Sequence, residues 1–310
     1  MREEKKAQGV LKQYRGGPDA VLSEEIHTIG KKAFFRAKID SCTCLAPKLE
    51  IETSAFARSG LRRVELPGGQ CVIADKAFEN CEGLESVEIS GRELKIGSSA
   101  FRGCKALTEV PFLGKARTVG SYAFDSCTGL TDVVLGPETL EEGLFANCEG
   151  LQRVRFAADY ADFPDWLFSD CRALAQIPWT QGIRSIGYAA FRNCWALTEV
   201  TMPDTLQRAG QLCFSGCKQL RRVTWRGGDI PSAAFLFCEG LEEIEIPEGV
   251  QSIGDYAFWN CRKLTRLRLP DSLREIGKQA FFGCGSCILE IGPHTRRGEW
   301  EKDVKAVTVR

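Results

Sequence analysis

The stretch VQSIGDYAFWNCRKLTRLRLP, Val250 to Pro270, holds one full unit of a pattern that most of the chain repeats. An Ala-Phe pair is followed three residues after the Phe by a cysteine, and three later by a leucine that opens a strand-like LxxLxLP. Phenylalanine recurs in this frame at 34, 56, 78, 101, 124, 145, 168, 191, 214, 235, 258 and 281, in steps of 21 to 23 residues. A period of that length over most of 310 residues overrides the usual expectation of two globular domains and predicts one repeat array.

From Leu61 the leucine words line up as LRRVELP, LESVEIS, LTEVPFL, LTDVVLG, LQRVRFA, LAQIPWT, LTEVTMP, LRRVTWR, LEEIEIP and LTRLRLP. Alternation in the second half of each word puts the Val and the next apolar residue on one face of a half-buried strand. Strands that recur at the same point of every turn run parallel, and the roughly 15 residues between them supply the crossover that parallel pairing needs. In that crossover Phe, Cys and Leu stand three apart, the spacing of a short helical turn. The expected fold is therefore α/β, a right-handed solenoid with one short parallel strand and one short helical turn per repeat. Glycine in IGxxAF, as at Gly187, Gly254 and Gly277, suits a tight bend before that turn.

The ends depart from the frame. Residues 1–36 read as an N-terminal cap with a first partial repeat that lacks its strand, 37–287 as the solenoid, and 288–310 as a C-terminal cap in which VKAVTVR alternates like a last strand. Between Ala37 and Ile51 the pattern blurs, with Cys42 and Cys44 in an irregular connection, and the turn at Phe56 is one residue short before Leu61.

Forty-one basic and 41 acidic side chains balance, so no global field draws nucleic acid or an anionic membrane. No run approaches the roughly 18 apolar residues of a membrane span, and MREEKKAQGVLKQYRGG has no signal-peptide core. As written, the chain is expected to be cytoplasmic; a leader missing from this sequence would make it secreted or cell-surface. Ten of the 15 cysteines occupy a single repeat slot, from Cys81 to Cys284, which predicts a column of buried thiols more readily than a disulfide framework.

The word IGxxAFxxCxxLxxVxIP resembles the BspA-like class of leucine-rich repeats over about Gly9 to Ile291, and GVLKQYRGGPDAVL resembles the lead-in such repeats carry. The resemblance implies a right-handed solenoid and, in known cases, surface attachment or host-protein binding. The chain departs from it at the short turn before Leu61, near Ile39 and in having no leader peptide.

Little in the chain suggests chemistry. The two histidines, His27 and His294, lie in opposite caps, which argues against a catalytic relay or a histidine metal site. Cys284 and Cys287 form a CxxC, but Cys287 stands where the strand leucine belongs; Cys213 and Cys217 also read as core. Asp159, Asp162 and Asp165 do not have the spacing of a calcium loop. The expectation is no enzyme, no cofactor and no metal. Two alternatives share the repeat: an exported adhesin binding host protein or glycan, and a carbohydrate-active enzyme on a parallel β-helix. The second would place several strands in each turn and gather acids on one face, with Asp162 and Asp165 as its weak candidates.

Binding is expected on two rows. The outward positions of the strands run Glu65, Glu88, Pro111, Val134, Arg155, Pro178, Thr201, Thr224, Glu245, Arg268, with an almost uncharged middle. The residue after the repeat Phe is small or charged in most turns but becomes Leu236, Trp259 and Phe282 in the last three, with Phe237 beside them. That apolar row predicts a protein contact or self-association site, unless the C-terminal tail, through Trp300, covers it. The function expected is a non-catalytic protein-interaction scaffold.

Overall fold

The computed structural model describes residues 6, 7, 9–66, 69–91, 93–136 and 140–310. These fall into two compact units, Met1–Ala158 and Asp159–Arg310. Each is a parallel-strand solenoid in which every turn has three sides.

On one side lie the strands of the leucine words. In the first unit Asp19–Leu22, Ser41–Cys44, Arg63–Leu66 and Ser86–Ile89 form one parallel sheet, and Asp132–Leu135 pairs with Arg153–Phe156. In the second unit Glu199–Thr201, Arg222–Thr224 and Glu243–Glu245 form one sheet, and Arg266–Arg268, Ile288–Ile291 and Ala306–Val309 another. VKAVTVR does end as a strand. Asp19–Leu22 gives the first turn the strand that the sequence reading denied it. Ser41–Cys44 is a strand with Cys42 and Cys44 buried, where an irregular connection was expected.

A second row of strands was not foreseen. Val10–Leu11, Thr28–Ile29, Lys48–Ile51, Gln70–Ile73, Glu93–Ile96 and Ala116–Val119 stack in parallel in the first unit. Asp162–Phe163, Ser185–Ile186 and Arg208–Ala209 do so in the second, as do Ser252–Ile253 and Glu275–Ile276. All five of those in the second unit are only two residues long, too short for alternation to be read, and exist because neighbouring turns present the same edge.

The third side corrects the fold class. No α-helix occurs among the described residues; the regular helices are two 3-10 segments, Pro111–Lys115 and Glu299–Asp303. The AFxxC word is instead a run of tight turns. In all twelve turns the residue two before the Phe and the residue two after it have positive φ, from Lys32 at 59° and Arg36 at 55° to Gln279 at 51° and Gly283 at 81°. Left-handed backbone twice in five residues stops a helix and aims alternate N–H groups along the stack. Ser54, Phe56 and Arg58 thus donate to the carbonyls of Asp75, Ala77 and Glu79 in the next turn at 3.1, 2.8 and 2.8 Å. Each non-glycine residue so placed costs about 1–2 kcal/mol, and the axial hydrogen bonds offset it.

The glycines of IGxxAF also serve a different purpose from the bend expected. A Cβ on Gly187, Gly254 or Gly277 would lie 2.5 Å from a backbone nitrogen of the preceding turn. They let adjacent turns approach.

The core is a set of columns. Phe34, Phe56, Phe78, Phe101, Phe124 and Phe145 stack at 4.5–5.9 Å, and Phe168, Phe191, Phe214, Phe235, Phe258 and Phe281 at 5.3–5.9 Å. The cysteine slot does more than fill space. Cys194 Sγ donates to Phe168 O at 3.2 Å, Cys217 to Phe191 O at 3.2 Å, and the same bond recurs down both units. The thiol thus satisfies a buried carbonyl of the preceding turn, which an alanine or valine there would leave bare.

Candidate binding surface

The strand face is not the continuous stripe that the sequence suggested. Register sets Glu65 beside Glu88, Val134 beside Arg155, and Thr224 between Thr201 and Glu245. Pro111 and Pro178 fall outside any strand. Proline has no N–H to give the ladder, and in LTEVPFL it starts the 3-10 segment Pro111–Lys115, which turns Phe112 and Leu113 inward. Beside that break lies a groove of about 540 Å³, lined by Val110, Pro111, Gly114, Asp132, Val134 and Arg155. Val134 is 45% exposed in it. Arg155 is tied to Asp132 at 3.0 Å. Pro178 and Thr224 are half-buried and Thr201 is exposed.

The turn side of the second unit gathers the other row. The N–H groups of Gly216, Phe237 and Asn260 donate to the carbonyls of Leu236, Trp259 and Phe282 at 2.7, 2.8 and 2.7 Å, fixing these residues in adjacent register. Trp259 and Phe282 have ring centroids 4.3 Å apart, tilted by 31°, and Tyr256 joins Trp259 at 5.4 Å. Leu236 and Trp259 are half-buried, whereas Phe237 and Phe282 are each 42% exposed. Trp300 does not lie over this row; it is buried edge-on against Phe281 at 6.5 Å. Phe237 occupies a left-handed position, φ 59°, that seven other turns give to Asn80, Gly103, Asn147, Asn193, Gly216, Asn260 and Gly283, and the remaining four to Arg36, Arg58, Ser126 and Asp170. An aromatic ring held at positive φ and facing solvent is a strained choice.

Sequence reasoning missed other members of this side. Phe35, in the same slot of the first turn, is exposed with the Lys32 and Arg36 cations 5.4 and 5.3 Å from its ring. Trp195 lies between Arg172 and Lys218, at 4.3 and 4.9 Å. Phe35 stands in the column after the Phe and was visible there as a departure in the first turn, whereas Trp195, which follows the cysteine, required reading a further column.

The residues weighed for chemistry are engaged in the fold. Asp165 Oδ1 accepts the N–H of Tyr188 at 2.6 Å, Asp159 Oδ1 that of Gln181 at 3.2 Å, and Asp162 accepts the hydroxyl of Ser185. Each carboxylate joins its turn to the next. Cys284 Sγ donates to Phe258 O at 3.0 Å, and Cys287 is buried with its N–H on Cys284 O, as Leu264 is on Cys261. Burial pushes the thiols up, Cys81 to about 11 and Cys71, Cys238 and Cys287 to about 12.

The family model for the BspA type leucine rich repeat region (6 copies) matches residues 27–140, 136–227 and 228–295. The chain belongs to the BspA-type leucine-rich repeat family. Among solved structures, this BspA-type chain is similar to a leucine-rich repeat protein of Bacteroides ovatus, at 21% identity over 97% of this chain and 94% of that one, TM-score 0.73. A leucine rich cell surface protein of Faecalibacterium prausnitzii is similar at 18% identity over 97% and 90%, TM-score 0.58. A third, from Eubacterium ventriosum, stands at 17% over 95% and 91%, TM-score 0.51. At these identities the likeness concerns the fold. No curated protein matches the sequence. No helix among the described residues is long and apolar enough to cross a membrane.

Proposed function

We propose that this BspA-type repeat protein is a non-catalytic interaction scaffold whose partner seats on Leu236, Phe237, Trp259 and Phe282. The observation that carries this reading is Phe237: a half-exposed ring kept in left-handed backbone, beside the Trp259–Phe282 pair, where asparagine or glycine would fold more easily. In this reading residues 1–36 and 288–310 act as caps, and the strand-side groove with Pro111, Val134, Pro178, Thr201 and Thr224 is a secondary surface. Two strand rows per turn are a feature expected of the β-helix enzyme, yet Asp162 and Asp165 hold turns together and share no common point.

The test compares quantitative affinity capture by the wild type, Trp259→Asp and Val134→Asp. Loss of a partner by more than about tenfold with Trp259→Asp alone, the scale of an interface hot spot, is the expected result. Equal capture by all three removes the aromatic row; loss with Val134→Asp alone moves the site to the strand face. Light scattering of the wild type beside Trp259→Asp decides whether the partner is a second copy.

A second reading, an exported adhesin, draws support from the neighbour named a cell surface protein. Fifteen free, buried cysteines favour a reducing compartment instead. Protease shaving of intact cells separates the two: digestion of the chain supports export, and protection supports retention.

A further inference from the structure

The strand side of the second unit is cut between two of its turns. Glu243–Glu245 ends one sheet and Arg266–Arg268 begins the next, and among the described residues no bridge joins them. On either side of the cut the same two hydrogen bonds link successive turns. Before it, Glu243 N–H donates to Arg221 O and Trp225 N–H to Glu245 O, both at 3.0 Å. After it, Ile288 N–H donates to Thr265 O at 2.9 Å and Leu269 N–H to Glu290 O at 2.8 Å. The equivalent groups at the cut are Arg266 N–H with Glu242 O and Ile246 N–H with Arg268 O, and neither pair is bonded among the described residues. A cleft of about 410 Å³ lies there, with Glu243, Glu245 and Glu248 on one wall and Arg266, Arg268 and Pro270 on the other.

The other two sides run past the cut unbroken. On the turn side the N–H groups of Ala233, Phe235 and Phe237 donate to the carbonyls of Asp255, Ala257 and Trp259, each at 2.8 Å. On the third side Ile230 bridges Ile253, and Asp229 Oδ1 accepts the N–H groups of Gln251 and Ser252 at 2.7 and 3.0 Å. Two sides are tied and one is free, which is the construction of a hinge. The spacing does not hold the free side open: Arg266 follows Glu243 by 23 residues, as Arg222 follows Glu199, and those two strands are fully laddered. Opening does not uncover the core either, because Ile244, Ile246 and Leu267 stay buried behind the cleft.

The two walls carry opposite charges at matching positions. In the register that the neighbouring turns set, Glu243 stands opposite Arg266 and Glu245 opposite Arg268. In the open cleft the charges look away from each other: Glu245 turns back to Arg226 at 3.6 Å and Arg266 on to Glu290 at 3.8 Å. We propose that this seam is a hinge that closes by bringing Arg266 N–H onto Glu242 O and Ile246 N–H onto Arg268 O, with Glu243 pairing to Arg266 and Glu245 to Arg268. The open and closed forms differ in the curvature of the strand face. Electrostatics drives the change, because the screening length falls from about 10 Å at 0.1 M salt to about 3 Å at 1 M. Low salt favours the closed form and high salt the open one. Nothing in this hinge depends on a partner at Leu236 and Trp259.

Amide exchange and cross-linking test the hinge together. At about 1 M salt the Ile246 and Arg266 amides are expected to exchange at least about tenfold faster than those of Trp225 and Leu269, as locally open groups do. The fifteen native cysteines are buried, so added surface thiols report on the seam alone. Glu245→Cys with Arg268→Cys puts one thiol on each wall, and Thr224→Cys with Glu245→Cys puts two on laddered strands as the reference. Laddered strands lie about 4.8 Å apart, within the span of a disulfide. Under mild oxidation the seam pair is expected to close about tenfold more slowly than the reference, because only the closed form holds its thiols at that spacing. Raising the salt, or adding Glu243→Gln, is expected to slow the seam pair several-fold and leave the reference unchanged. Once formed, the seam disulfide is expected to slow exchange at Ile246 and Arg266 to the level of Trp225. The substituted side chains lie on the surface, and a thermal melt checks that each variant keeps the fold. A seam pair that never oxidises would show a cleft fixed open, and one that always matches the reference would show a cleft fixed shut; either overturns the hinge. So does exchange at Ile246 and Arg266 as slow as at Trp225 before oxidation, or a seam rate that neither salt nor Glu243→Gln moves.

Discussion

Replacing Phe191 by alanine removes a ring with no exposed surface from the middle of a column. Phe168 and Phe214 stack on its two faces at 5.7 and 5.6 Å, and Phe163 and Trp179 meet it edge-on at 5.9 and 6.3 Å. The lost transfer free energy is about 2 kcal/mol, and the severed ring contacts add about 0.5–1.5 kcal/mol each before relaxation. The axial bonds from the Phe191 and Asn193 N–H groups, 2.9 and 2.7 Å, hold the adjacent turns at fixed spacing and limit how far the cavity can collapse. The expected loss is therefore about 3–5 kcal/mol. All six tryptophans lie in the second unit, so tryptophan fluorescence in a urea titration follows the unit that carries the change. With a slope of about 2 kcal/mol/M the midpoint falls by about 1.5–2.5 M. A fall under about 0.5 M would mean that the phenylalanine column is not what holds neighbouring turns together.

Other outcomes follow from single features. Phe237→Gly is expected to raise stability by about 1 kcal/mol, since glycine adopts φ 59° without strain, while partner capture falls; a lower melting temperature would contradict the strain assigned there. Gly254→Ala forces a Cβ to 2.5 Å from Ser232 N and is expected to cost about 1–3 kcal/mol in a denaturant titration; an unchanged midpoint would show that the turns can separate. The thiols, at 9.0 in their ordinary state, are raised by burial to about 11 for Cys81 and about 12 for Cys238, so the folded chain holds protons that the unfolded chain releases. Stability is then full below pH 9.0 and declines as pH rises toward about 12, which melts at stepped pH would record as a falling midpoint. A thiol reagent at neutral pH should label the native protein slowly and all 15 cysteines once it is unfolded.

The period, the phenylalanine column and the cysteine slot could be read directly because each repeats one buried residue type at one spacing. The second strand row could not, because pieces such as Ser185–Ile186 carry no alternation of their own and gain strand geometry only from neighbours. The helical turn was misjudged through spacing alone. Phe, Cys and Leu three apart suit a helix, but the asparagine and glycine column at Asn80, Gly103, Asn147, Asn193, Gly216, Asn260 and Gly283 was the chemical mark of left-handed backbone. The prolines of LTEVPFL and LAQIPWT likewise marked the two words in which no strand forms. For the binding surface, the Leu236, Trp259 and Phe282 row was visible as a departure from its column. Its exposure was not, because the course of the tail past Trp300 depends on packing that no local pattern encodes.

The turn side also gives the stack a direction. In the turns from Phe56 to Phe124 and from Phe168 to Phe258 the N–H groups two before the Phe, at the Phe and two after it all donate toward the C-terminal neighbour, as Trp166, Phe168 and Asp170 do to Tyr188, Ala190 and Arg192. The peptide dipoles therefore add along the axis with the amide end facing the C terminus, opposite to the polarity of an α-helix. An acidic residue engineered just beyond Gly283 would meet a favourable field, and the same residue placed ahead of Phe34 would meet carbonyl oxygens. Turns transplanted from one place to another keep their meaning only if they keep that orientation.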